Sequence, residues 1–463
     1  MFIRYGILVF LLVFHRSSSL EPLCSSGKFR DKCLCKKIIN EDTKLPSAMA
    51  ECTALSLKMF PSSEQFPSNL TLSILDLSLN EIDTLDPSIV DAPTTLRRLV
   101  LSYNKINYIN TNFFVKMTDL RYLDLSHNNI KSLDNSNVFS SNANLVHLEL
   151  SFNQLIELPQ GIFQSLPLKY LDIGYNNFGN FMTNGSKDIL DSYLGVNTYL
   201  THLKLNNLSL KELHPDYFTQ YTTLTHLEIM DNGFEVIPSV PYSVEYLDVS
   251  GNNLTYLSAR HLNYHSLKVL RASRMPSLAS IHHYAFYNLQ ALEKLVITDC
   301  PNLKEFTELA FGLASKTKDI HPKSLILARN GLTTLNSTYR FMFRHMEHVN
   351  LLYNPWYCDC EILWLQEFDN ELFDGKQIRC ASPQDLRSRK ILELKDEDLV
   401  HCHPEIYGKH SHKVLIVGLM GVIIVLAAFI LFLIRYPGWL NPRRIGVGPE
   451  SPYSPAPQED NHI

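Results

Sequence analysis

The chain has none of the signatures that would make it a familiar enzyme. Its 463 residues contain no His-Glu-x-x-His, no Gly-x-Ser-x-Gly, no Walker-type phosphate loop, and no Gly-x-Gly-x-x-Gly set between a strand and a helix. Gly446-Val447-Gly448 lies in a proline-rich stretch, not in such a setting. Excess charge of one sign is also missing. The 42 Lys and Arg stand against 47 Asp and Glu, a net charge of −5, and nothing suggests nucleic acid, which would call for a basic patch. Asp and Glu abound without a catalytic pair standing out. The expectation is a non-enzyme with no cofactor and no metal site.

Two long apolar runs stand out. Gly6 to Phe14 follows Arg4, is too short to span a bilayer, and precedes the small residues Ser17 and Ser19. This reads as a secretory signal over residues 1–19. Val414 to Ile434 is uncharged, and at ~1.5 Å per residue it reaches about 31 Å, the hydrocarbon thickness of a membrane. The flanking charge (Lys409, Lys413; Arg435, Arg443, Arg444) is nearly balanced, so the signal decides orientation. The expectation is a single-pass type I protein of the plasma membrane, N-terminus outside. A stalk would occupy 404–413, the span 414–434 and a cytoplasmic tail 435–463. That tail carries Pro449, Pro452, Pro455 and Pro457 around Ser451, Tyr453 and Ser454. It is either an extended docking segment for an SH3-like module or a passive stub. The span has no GxxxG, so at most weak homo-oligomerisation is expected.

Cysteine is clustered. Cys24, Cys33, Cys35 and Cys52 lie early, Cys358, Cys360, Cys380 and Cys402 late, and Cys300 between them. In an exported chain two groups of four read as disulfide frameworks, with three pairings open to each group. Sequons at Asn69, Asn184, Asn207, Asn253 and Asn336 point to glycosylation.

The dominant feature is a repeat, LxxLxLxxNxL. Leu96-Leu99-Leu101-Asn104-Ile106 is followed 24 residues later by Leu120-Leu123-Leu125-Asn128-Ile130. Copies begin at Leu72, Leu96, Leu120, Leu145, Leu168, Leu200, Leu224, Val244, Leu267, Leu292, Pro322 and Met346, about twelve in all. Leucines two apart point inward from a short strand, and the residues between them face outward. The Asn satisfies backbone groups where the chain turns away. Phe114, Phe139, Phe218 and Phe286 are placed to fill the convex side. In two copies Met275 and Cys300 stand at the Asn position, so Cys300 is expected as a buried free thiol. The fold class is an α/β-type repeat solenoid: a horseshoe with a parallel concave sheet, disulfide caps and one transmembrane helix.

The pattern, with the NPWYCDCEILWLQEF run from Asn354 and the early cysteine cluster, resembles extracellular leucine-rich-repeat membrane proteins with cysteine-rich caps. The resemblance implies an N-terminal cap over 20–71, repeats over 72–353 and a C-terminal cap over 354–403. It implies the pairs Cys24–Cys35, Cys33–Cys52, Cys358–Cys380 and Cys360–Cys402, with Trp356 and Trp364 covering the last repeat. It also implies a receptor or adhesion protein that binds a protein ligand on its concave face. An auxiliary subunit tuning a channel or receptor, and a shed matrix-binding protein, are the alternatives.

Two outward columns in repeats three to eight are the candidate ligand site. One is Tyr122, His147, Tyr170, His202, His226 and Tyr246. The other is Asp124, Glu149, Asp172, Lys204, Glu228 and Asp248. Rings give contact area at low entropy cost, and the mostly acidic neighbours would select a basic partner. The plainer reading is that such strands are ordinary for this repeat and polar for solubility. His202, His226 and Glu228 fall short of the three or four converging ligands a metal wants.

Overall fold

The computed structural model describes residues 23–25, 32–39, 44–66, 71–88, 91–133, 135–183, 189–214, 217–218, 220–312, 320, 322–399 and 404–435. The expected signal, the sequons at Asn69 and Asn184, Cys402 and the proline-rich tail lie outside them. The chain divides into two units between Leu394 and Lys395.

In the first unit a fifteen-stranded sheet runs the length of the solenoid. Twelve of its strands are the repeat strands, from Leu72–Asp76 through Tyr122–Asp124 and Tyr246–Asp248 to His348–Asn350. Each pairs in parallel with the same strand of the next repeat, so Tyr122, His147, Tyr170, His202, His226 and Tyr246 are register partners in series. The inward residue of every repeat strand, such as Leu75, Leu99, Leu123, Leu148 or Leu203, is at most 1% exposed. One repeat cannot bury these residues alone, and stacking makes them a continuous core.

The Asn ladder supplies the polar counterpart. Asn128 Nδ2 donates to the carbonyls of Leu101, one repeat back, and of Leu125 in its own, while its Oδ1 accepts from Ile106 N–H. Asn80, Asn104, Asn153, Asn176, Asn232 and Asn252 repeat the scheme. Just before each ladder position the chain turns left-handed, with φ between 48° and 72° in all twelve repeats, and Gly251 is the single glycine there. An L-residue loses roughly 1–2 kcal/mol in that conformation. The side-chain amide bridging both sides of the turn offsets the loss.

Three repeats depart from the ladder. Besides Met275 and Cys300, repeat six has Leu208 at the position. Its N–H still donates to Asn232 Oδ1, while the buried Asn206 two residues earlier binds Glu228 and Met230 N–H instead. Cys300 is free and fully buried. Its thiol faces the carbonyls of Thr298 (3.4 Å) and Ala272 (3.7 Å), those an Asn amide would meet. Burial pushes its pKa up to about 11, the mark of an inert thiol.

The convex side is irregular. Phe114, Phe139, Phe218 and Phe286 are fully buried there. The long fifth repeat forms an α-helix, Gly179–Thr183, and a π-helical turn, Ile189–Tyr193. Gly195 then takes φ +74° where a Cβ would sit 2.8 Å from Gln164 Cα, so only glycine passes.

At the N-terminal end an antiparallel pair, Cys33–Ile39 with Pro46–Glu51, lies beside the first repeat strand, bonded by Cys24–Cys35 and Cys33–Cys52. At the other end Trp356 and Trp364 are buried, donating to the carbonyls of Leu351 and Leu335. Cys358–Cys380 is formed and Cys360 is disulfide-bonded, while the partner expected for it, Cys402, is outside the described residues.

The second unit contains the helix Pro404–Arg435, which includes residues 414–434. Its side chains are described only from Leu419 onward, without Leu433. Among the described residues no helix is long and apolar enough to cross a membrane.

Candidate functional site

The in-register strands bring the ring column together as a physical stack. Arg98 places its guanidinium 3.6 Å above the Tyr122 ring. Tyr122 stacks on His147 at 4.2 Å and His147 on Tyr170 at 3.9 Å. Tyr170 is tilted against His202 at 5.9 Å, His202 stacks on His226 at 4.1 Å, and His226 faces Tyr246 at 5.6 Å. Because strand neighbours sit one sheet spacing apart, the ring faces meet each other and the ring edges face the concave side. Desolvation raises the Tyr170 and Tyr246 phenols to about 12, so both remain hydroxyl donors at neutral pH.

The two central histidines share one tautomer. Thr201 and Thr225 each donate their single hydroxyl proton to a carbonyl, of Lys169 and Thr201 respectively. The same oxygens lie 2.9 Å from Nδ1 of His202 and His226. With the hydroxyl protons on those carbonyls, Nδ1 carries the ring proton and each Nε2 is an acceptor. Burial holds both imidazoles below the usual histidine range, with the neighbouring ring adding to the effect at His202. Among the described residues no group of three or more His, Cys, Asp or Glu is placed to hold a metal ion.

The second column differs from the expectation of a presented acidic stripe. Asp124 and Asp248 are buried, at 8% and 3% exposure. Each aspartate of the column accepts the N–H two residues on: Asp124 from Ser126, Asp172 from Gly174 and Asp248 from Ser250. They cap the turn after their strands. Desolvation raises all three carboxyls, Asp172 to about 6. The glutamates reach further out. Glu149 accepts from the Tyr122 hydroxyl and meets His147 Nε2 at 2.8 Å; burial would raise its pKa, but these contacts carry it below the usual range. Glu228 pairs with Lys204 at 3.2 Å. Repeat nine begins a different chemistry, where Arg271 caps the column on Asp248 at 3.1 Å.

A third column escaped the sequence reading. The left-handed residues before the ladder stack along the sheet edge: Tyr103 on His127, His127 on Phe152 and Phe152 on Tyr175, each at 4.0 Å. Tyr103 and Phe152 are exposed. The signal was present as SYN, SHN, SFN and GYN, a ring directly before each Asn. Of the sequons, Asn207 and Asn253 are exposed past their strands. Asn336 caps a short 3-10 turn, accepting from Thr338 N–H.

Two family models match the repeat. The model for the leucine rich repeat matches residues 70–130 and 94–155, and that for the BspA type leucine rich repeat region matches 243–350. Trophoblast glycoprotein of Macaca fascicularis is 26% identical over 62% of this chain and 62% of its own length, so the chain spans less than two thirds of that relative. Tsukushi of Gallus gallus is 27% identical over 66% of this chain and 73% of its own. Among solved structures, the leucine-rich repeat domain of APL1 covers 67% of this chain and 87% of its own at 22% identity, with a TM-score of 0.48. With the repeat spans matched over 70–155 and 243–350, twelve repeat strands in register and disulfides at both ends, the chain carries leucine-rich repeats closed at each end by a disulfide-bonded cap.

Proposed function

We propose that this is a cell-surface receptor or adhesion protein that binds a protein ligand on the concave columns of repeats three to eight. The observation that carries the reading is the in-register column of rings from Tyr122 to Tyr246, with Arg98 over its first ring. A flat row of half-buried rings, with hydroxyls and two unprotonated Nε2 atoms along its rim, is rigid before a ligand arrives and loses little entropy on binding. Lys204, Glu149 and Glu228 set the charge beside it. Sequons Asn207 and Asn253 border this face without filling it. Attachment to the membrane by residues 414–434 is part of the proposal. It is supported by the uncharged run inside one helix and by exposed apolar side chains such as Ile423, Val425, Phe429 and Leu431, a surface unsuited to water.

The test is a binding screen with the full chain displayed on cells, followed by kinetics against Tyr170→Ala and Tyr246→Ala. Each is expected to weaken a captured ligand by about 2 kcal/mol while folding is retained. Unchanged affinity for both would remove the site from the ring column.

A further inference from the structure

Beyond the ring column along the sheet, the last repeat strands and the C-terminal cap line a groove of about 850 Å³. That lies within the roughly 300–1,000 Å³ of ordinary ligand sites. Ile326, Ala328 and Leu352 give it an apolar floor. Three cations, Arg329, Lys376 and Arg379, line it, and among the described residues lining it there is no carboxylate. Arg329 is steadied from outside the groove by two bonds to Asp299, and Lys376 lies 3.4 Å from Asp374. Arg379 donates to the Ser388 carbonyl and the Gln377 amide oxygen, both neutral, so these bonds orient its guanidinium without cancelling its charge. Tyr353, 76% exposed on a left-handed turn, also lines the groove, and the Cys358–Cys380 disulfide fixes one wall.

We propose that this groove is a second binding site, which takes an extended acidic peptide segment of a partner protein. Carboxylates would meet Lys376 and Arg379, and an apolar side chain between them would rest on Leu352 and Ile326 beside Tyr353. The apolar floor favours a peptide over a sulfated glycan, which offers anions but no apolar side chain. The site is independent of the ring column.

The test uses the full chain in mild detergent and a fluorescein-labelled peptide of about eight residues alternating Glu and Leu, read by anisotropy, with the Lys and Leu counterpart as control. Saturable binding is expected for the acidic peptide alone, weakening with added salt. It should fall about tenfold in Lys376→Gln/Arg379→Gln and in Tyr353→Ala, and stay unchanged in Tyr170→Ala. Because Arg379 also braces Ser388, the single variants Lys376→Gln and Tyr353→Ala carry the test if the double variant unfolds. No saturation by ~1 mM, equal binding of the basic peptide, or undiminished binding by Lys376→Gln and Tyr353→Ala overturns the proposal. So does a heparin hexasaccharide that binds through the same residues more tightly than the peptide, which would assign the groove to sulfated glycan.

Discussion

In repeats two to five the left-handed residue before the ladder is a ring, and Tyr103, His127, Phe152 and Tyr175 stack at 4.0 Å intervals. In repeats seven to eleven the same position holds Asp231, Gly251, Arg274, Asp299 and Arg329, and the column is joined by ions. Arg274 clasps Asp231 with two bonds of 2.7 and 3.2 Å, and Arg329 clasps Asp299. The ring column inside the sheet ends in the same sense: past Tyr246 its register positions hold Val269, Lys294 and Ser324, while Arg271 pairs with Asp248 in the column beside it. One backbone thus displays two chemistries. Ring stacks hold by apolar contact and dispersion, which salt leaves alone. Exposed ion pairs are worth little and are screened. The N-terminal half presents stacked rings at this edge, and the C-terminal half presents paired charges.

The sharpest break of that comparison is made in the ladder beneath both halves. Asn128→Leu strands the carbonyls of Leu101 and Leu125 and the N–H of Ile106. At ~1–3 kcal/mol per unsatisfied buried group, a loss of about 3 kcal/mol or more is expected in chemical denaturation. Cys300→Ala, where only weak thiol contacts are lost, should lose about 1 kcal/mol. Equal losses would show that the amide ladder carries no special weight.

Next is the contrast inside the candidate face. Asp124→Lys removes a turn cap and places a cation in a nearly buried position, so a stability loss of about 2–3 kcal/mol is expected. Tyr170→Ala should lose only ~1 kcal/mol. A harmless Asp124→Lys would return that carboxylate to the ligand-facing set.

A smaller effect separates stack from ion pair. Phe152→Ala is expected to lose about 1 kcal/mol at any ionic strength. Asp299→Asn should lose at most ~1 kcal/mol at low salt and nearly nothing at 1 M. Matching salt profiles would erase the distinction between the halves.

The smallest effect is in pH. Burial raises Asp172 to about 6, above its unfolded value, so the folded state holds the proton more tightly. Its stabilising contribution is complete below about pH 4 and is lost as pH rises through 6. The melting temperature of the wild type, relative to Asp172→Asn, should therefore fall between pH 4 and 7. A flat difference would mean the carboxyl is solvated.

Much of the solenoid was legible because each repeat writes the same physical demand: two inward leucines, a turn, and an amide to close it. Repeat six shows where that reading stops. Leu208 at the ladder position looks like one more apolar residue, and only the packed structure shows Asn206 turning to Glu228 instead. The candidate face was half legible. Strand periodicity placed Tyr122 through Tyr246 in one column, but alternation cannot say whether an outward aspartate meets solvent or its own turn. Asp124, Asp172 and Asp248 do the latter because a serine or glycine N–H lies two residues on.

The repeat number, the inward leucines, the turn after each strand and the cysteine clusters at the two ends all follow from period and spacing along the chain. The tertiary structure alone decided which outward side chains touch. Arg274 and Asp231 lie 43 residues apart and meet across repeat eight because that position is Gly251, where a Cβ would fall 2.0 Å from Asp231 Oδ1. Stacking in register turns separate rings into a column and distant charges into pairs, and no single repeat contains both partners of a ring stack or of the Arg274–Asp231 pair.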